Sequence, residues 1–272
     1  MSTASIFLEG ISLLGPGLNG WEASRAILRG EQLFEPTALQ VAAPAALPAT
    51  ERRRAGLAVK LSMATGLAAV EHAQADAATL PSIFSSTGGD CENCHSILEV
   101  LASPERMISP TRFHNSVHNA PAGYWSIAAR ARATSNVMCA HDGSFAAGLL
   151  ESVCQVAVDG VPTLLIAYDT DYPEPLRAVR PIDDAFGVAL VLAPQASAAA
   201  LARLDVTLTD ANATSLATPE LEALRTNNPA ARALPLLEAL AARRAGRVVI
   251  DYLPETRVQI DVAMPESFGE PS

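Results

Sequence analysis

The stretch from Ala55 to Gln74, AGLAVKLSMATGLAAVEHAQ, constrains the fold more than any other part of the chain. It is alanine-rich and reads as a helix with apolar residues on most faces. A helix that is apolar nearly all round is usually buried. Two later segments, Pro162–Tyr168 (PTLLIAY) and Phe186–Leu192 (FGVALVL), are continuous apolar runs that read as buried strands. Strands alternating with apolar helices imply an α/β architecture with a covered sheet.

The rest of the chain follows that alternation. Ser5–Leu14 is a β-rich apolar segment ending at the turn Gly15-Pro16-Gly17. Trp21–Leu28 reads as a short helix closed by Gly30. Thr37–Ala49 is Ala/Pro-rich and reads as an irregular surface loop. Pro81–Ser86 is a short strand, with Thr87–Asp90 as the loop after it. Ser144–Val156 is helical and turns at Asp159-Gly160. Ala202–Leu208 is expected to pair with Phe186–Leu192 as a hairpin. Ala211–Pro229 is polar and Pro-containing and reads as a mobile connection. Ala233–Ala245 is helical, and Arg247–Val262 is one or two strands broken at Pro254. The last ten residues are expected to fray.

The chain has 272 residues, 49% of them hydrophobic, enough for a sizeable core. Its formal charge of −10 argues against a nucleic-acid footprint and against direct docking of an acidic protein. No apolar run approaches the roughly 18–20 residues that span a bilayer. The N-terminus lacks the cationic stretch of an export signal, so a cytoplasmic protein with four reduced cysteines is expected.

Within Ile108–Gly148, Asn119, Ala122 and Gly123 form an Asn-x-x-Ala-Gly motif at a helix, followed by a buried strand and a sharp turn into the next helix. This order resembles the nucleophile-bearing segment of β-ketoacyl synthases of the thiolase-like superfamily. Counting without a gap to that family's cysteine slot lands on Asp142. The strand–turn–helix at the N-terminus resembles the start of the same fold. The resemblance implies an α/β, thiolase-like fold, mainly the first βαβαβαββ half (residues 1–209). Residues 210–272 would be a short non-family extension: a linker, a helix and one or two strands packing on the same domain. Apolar surface is expected where the missing half would pack, unless the tail or a partner covers it.

A ketosynthase needs a thiolate, oxyanion donors and two histidines. In the family both histidines and a supporting lysine follow the cysteine. Here the histidines are His72, His95, His114, His118 and His141, none beyond Asp142, and Lys60 is the only lysine. The resemblance therefore implies a chain-length factor: a non-catalytic subunit that pairs with an active ketosynthase, contributes no nucleophile and walls its acyl tunnel. Such systems include those making aryl polyenes and related polyketides. Acyl carrier protein would be met through the complex, and no cofactor or metal is expected.

Several residues carry two readings. Asp142 is an N-cap for the following helix, or a nucleophile or base. Cys139 is a buried strand thiol, or the nucleophile of an independent acyltransferase or hydrolase, sharing a face with His141 if the strand persists that far. Cys91-Glu92-Asn93-Cys94-His95 has the spacing of a haem attachment site, but without an export signal or further ligands two ordinary thiols are expected. By resemblance, Arg112 and Phe113 reach across a two-fold interface toward the partner's acyl tunnel; otherwise Phe113 is local core. By the same resemblance Asn136, Val137 and Met138 lie near the two-fold axis; otherwise they belong to an interior strand of a monomer. A plain scaffold without tunnel contact is the third possibility.

Overall fold

A computed structural model describes residues 4–42 and 44–265. In chain order the elements are β1 (Ala4–Gly15), β2 (Leu18–Asn19), α1 (Trp21–Leu28), α2 (Ala49–Arg54), α3 (Leu57–His72), β3 (Ser82–Ser85), α4 (Cys91–Ala102), α5 (Pro110–Asn115), α6 (Ala120–Ala129), β4 (Ser135–Met138) and α7 (Ser144–Asp159). Then follow β5 (Thr163–Asp169), α8 (Leu176–Val179), β6 (Phe186–Ala193), β7 (Ala202–Thr209), α9 (Pro219–Asn227), α10 (Leu234–Ala241), β8 (Gly246–Leu253) and β9 (Thr256–Ala263). The described strands form one mixed sheet in the order β4-β3-β5-β6-β1-β7-β9-β8, with β2 paired to β1. Only β4-β3-β5 run parallel to their neighbours; the other pairs are antiparallel.

Both faces of the sheet are covered, which is why β5 and β6 are apolar without interruption. The pleat sends Leu164, Ile166 and Tyr168 to one side, where they pack with Leu61, Phe84 and Trp125. Leu165 and Ala167 point to the other, against Phe145 and Leu149 of α7. Each fully buried Leu, Ile or Phe contributes roughly 1.5–3 kcal/mol. The all-round apolar helix α3 lies as expected, with Leu61 and Ala69 toward the sheet and Val59 and Met63 toward Leu47 and Tyr124. Gly66 makes the close crossing possible. A Cβ there would sit 2.6 Å from Ile166 Cδ1 and 2.9 Å from Trp125.

Two expectations are corrected. β6 and β7 do not form a hairpin: both flank β1, with Leu8 opposite Leu192 on one edge and Ala202 on the other. β1 is apolar and almost wholly buried, so it takes a strand on each side. Residues 211–229 are not a loose connection either. Pro219 opens α9, Leu221 and Leu224 are buried one turn apart, and Arg225 joins Glu222 and Asp251 at 2.6 Å each. The C-terminal strands add to the edge of the same sheet, β9 pairing β7 and β8 pairing β9, with a turn at Pro254-Glu255. Of the tail expected to fray, Ala263 ends β9 and Met264 is buried, while residues 266–272 lie outside the described part.

Candidate functional site

The site sits where the parallel strands β3 and β4 end. After Met138 the chain leaves the sheet, crosses Cys139 and Ala140, makes one 3-10 turn at His141–Gly143 and enters α7 at Ser144. His141 takes a left-handed backbone (φ 50°), uncommon for a side-chain-bearing residue. The turn is held by its own hydrogen bonds. Ser144 Oγ donates to His141 O at 2.7 Å and accepts from Ala140 N at 3.1 Å, while Ser85 Oγ donates to Ser144 O at 2.6 Å. The β8–β9 hairpin presses on it from outside. A Cβ on Gly143 would lie 2.5 Å from Tyr252 O, so only glycine permits this approach.

Asp142, at the tip, does not cap α7. That helix has Gly143 at its N-cap and no side-chain capping bond. Its carboxylate is drawn sideways instead, to Arg180 Nη2 at 2.6 Å, with Arg232 Nη2 at 3.6 Å and His141 Nδ1 at 3.5 Å. Arg180 is the hub: it also donates to Thr87 Oγ1 at 2.9 Å, hydrogen-bonds His141 Nε2, and stacks 5.9 Å over the Tyr172 ring. Both guanidinia are mostly buried, so the attraction is screened less than on an open surface.

Beneath Thr87 lies Asp169, fully buried at the C-terminal end of β5. Its Oδ1 accepts from Thr87 N at 2.7 Å and Ser86 Oγ at 3.0 Å. Burial pushes this carboxyl up to about 7. The bonds from Thr87, Ser86 and the Ala230 N–H, and the nearby Arg180, pull the other way without cancelling the desolvation. Arg180, Arg232 and Asp169 escaped the sequence reading. The one signal for any of them was an acid ending the apolar run of β5.

The Cys139–His141 pairing is not formed. β4 stops at Met138, so strand alternation does not reach His141. Cys139 is exposed and its Sγ donates to Thr87 O at 3.3 Å, while the His141 ring nitrogens face Arg180 and Asp142. Cys91 and Cys94 begin α4, where Asp90 Oδ1 caps Asn93 N at 2.9 Å. Burial pushes the Cys91 thiol up to about 11 and raises Cys94 as well. Among the described residues no three His, Cys, Asp or Glu side chains converge as metal ligands.

Phe113, on α5, is not local core: 67% of it is exposed. It lines a groove of about 550 Å³ with Pro110, Val117, Tyr124 and Ile127, and with Gly123 of the Asn-x-x-Ala-Gly motif on α6. Ala122 of the motif is buried, and Asn119 occupies the N-cap position without a side-chain bond. Arg112, on the other side of α5, lines a polar cavity of about 630 Å³ with Arg53 and Arg54. Leu98, Leu101 and Met107, on and just after α4, are exposed too. β4 is an edge strand, not an interior one. Among the described residues it pairs only with β3, Asn136 is exposed and reaches Glu151 at 3.2 Å, and Val137 and Met138 are half-buried. Among the described residues no helix is long and apolar enough to cross a membrane.

Residues 28–249 match the family model described as β-ketoacyl synthase, N-terminal domain, a match that runs into the start of β8. No curated protein matches the sequence. Among solved structures, the ketosynthase ApeO in complex with its chain length factor ApeC from Xenorhabdus doucetiae contains a chain 22% identical, with TM-score 0.73, covering 94% of this chain and 99% of that one. A type II acyl-carrier protein in complex with its ketosynthase bound to the hexaketide (AntDE:AntF) gives 10% identity, TM-score 0.74, and coverage of 97% and 100%. The ishigamide ketosynthase/chain length factor gives 15%, 0.64, and coverage of 96% and 99%. At these identities the likeness shows the fold, a thiolase-like ketosynthase fold.

Proposed function

The chain belongs to the β-ketoacyl synthase N-terminal-domain family, and from that premise we propose that it is a non-catalytic ketosynthase-like subunit, a chain-length factor for an active ketosynthase. The observation that carries this is the clasped carboxylate of Asp142, at the position the resemblance gives to the family's nucleophile. Asp142, bonded to Arg180 at 2.6 Å with Arg232 behind it, is held as a charge-paired anion. Such a group is a poor acyl acceptor, whereas a nucleophile is activated by an adjacent base or a lowered pKa. Cys139 and His141 do not replace it, since each is bonded elsewhere.

The partner-facing side is the region of α4, α5, α6 and the open edge of β4. Unpaired strand edges and exposed aromatic and apolar side chains are surfaces that proteins cover. In this arrangement Arg112 and Phe113 reach the partner, with Phe113 limiting the acyl tunnel by its bulk, and Asn136, Val137 and Met138 lie near the pseudo-two-fold axis. The substrate of the complex is a growing polyene or polyketide chain on an acyl carrier protein. Chains named as ketosynthase with chain length factor, or ketosynthase with carrier protein, share the fold and support this reading. Asp142→Asn tests it: co-expressed with the ketosynthase encoded nearby, the variant should keep product formation within a few-fold. Loss of product from an intact complex would make Asp142 catalytic and end the proposal.

A further inference from the structure

The cleft between the Asp142 turn and the β8–β9 hairpin has a volume of about 330 Å³, and Asp142, Arg232, Asp251, Tyr252 and Arg257 are among its lining residues. Its charges are unevenly served. Asp251 already accepts from Arg225 at 2.6 Å, and Arg225 also holds Glu222, so that group is closed on itself. Asp142 gives one oxygen to Arg180 at 2.6 Å; its other oxygen stands 3.6 Å from Arg232, beyond hydrogen-bond reach.

That long ion pair is the one interaction of the Arg232 side chain among the described residues, although only 16% of the side chain is exposed and its Nε has no partner. Arg257, across the cleft, makes no side-chain hydrogen bond or ion pair among the described residues. A guanidinium offers five donors in a planar fork matched to an oxyanion. Burying one with so few acceptors is costly unless something supplies them. Arg232 differs from the arginines of the cavity at Arg53 and Arg112 in being mostly buried, with 16% of its side chain exposed, so its unfilled donors cannot turn to open water.

We propose that this cleft binds a small oxyanion, a carboxylate or a phosphate, held between Arg232 and Arg257 with the Asp142 clamp behind it. The site is independent of any pairing with a ketosynthase. The test is calorimetric titration of the purified full chain with inorganic phosphate and, separately, with succinate, at low ionic strength. Wild type should bind at least one of them at a single site, and Arg257→Gln should weaken it on the order of tenfold or more, as losing charge-assisted hydrogen bonds does. Phosphate binding more tightly would assign a phosphoryl ligand, succinate a carboxylate. Arg257 makes no side-chain hydrogen bond or ion pair among the described residues, so R257Q should retain the wild-type circular dichroism and melting point. Arg232→Gln is the second arm and should weaken binding similarly. No binding of either anion, or equal binding by wild type and R257Q, overturns the proposal.

Discussion

Asp169→Asn should remove a loss of stability that the protein otherwise suffers as pH rises from about 4 to about 7. The carboxyl is fully buried, and its affinity for a proton goes from an ordinary 3.8 to about 7 in the fold. Between those values the unfolded chain has released the proton while the folded chain keeps it, so the folded state binds one proton more. Stability then falls with rising pH, by about 1.4 kcal/mol per unit, and the loss is complete above about pH 7. Three units give at most roughly 4 kcal/mol, a large share of the 5–15 kcal/mol that holds a typical domain together. Asparagine keeps an oxygen for Thr87 N and Ser86 Oγ, 2.7 and 3.0 Å away in the parent, and carries no titrating proton. The assay is urea unfolding at half-unit pH steps from 4.5 to 8, read as the difference between wild type and D169N, which cancels the surface carboxylates. Wild type should lose stability relative to D169N as pH rises. A difference that is flat in pH, or that rises, would refute the assignment of Asp169 as a protonated buried acid.

Three further outcomes are expected. Arg180→Ala should cost about 2–3 kcal/mol in urea unfolding, since it removes the charge-assisted bonds to Asp142 and Thr87 from a mostly buried position; a change under about 0.5 kcal/mol would mean the clamp is incidental. Phe113→Ala should leave the stability of the isolated chain within about 0.5 kcal/mol, because the ring is exposed, while lengthening the product of the co-expressed complex by mass spectrometry; unchanged product length would favour a scaffold without tunnel contact. Thiol-labelling kinetics should show Cys139 and Cys154, both exposed, reacting well before Cys91 and Cys94, whose thiols burial holds protonated.

Most of the elements were legible because their hydrophobic periodicity is local. The all-round apolar pattern of α3 and the unbroken runs of β5 and β6 reflect burial on both faces, and the structure has them there. Strand order was less legible. That β1 separates β6 from β7 is a long-range fact, and two adjacent apolar strands read equally well as a hairpin. α9 was hidden because its buried face is only Leu221 and Leu224 within a polar segment, with Arg225 made tolerable by Glu222 and Asp251. At the site, the resemblance to the ketosynthase segment, counted forward from the Asn119 motif without a gap, led to Asp142. Its partners Arg180 and Arg232 lie 38 and 90 positions downstream and belong to no motif. The capping preference of Asp suggested a local role, but the charge-assisted bond from Arg180, with Arg232 3.6 Å away, outcompetes a helix N-terminus worth about 0.3–1 kcal/mol.

The most direct test of the central claim is size-exclusion chromatography with light scattering on this chain co-expressed with the ketosynthase from its genomic neighbourhood. A stable one-to-one assembly that Phe113→Asp or Val137→Asp disrupts is the expected result. Separate elution of the two proteins, with this chain unaffected by either substitution, would contradict it.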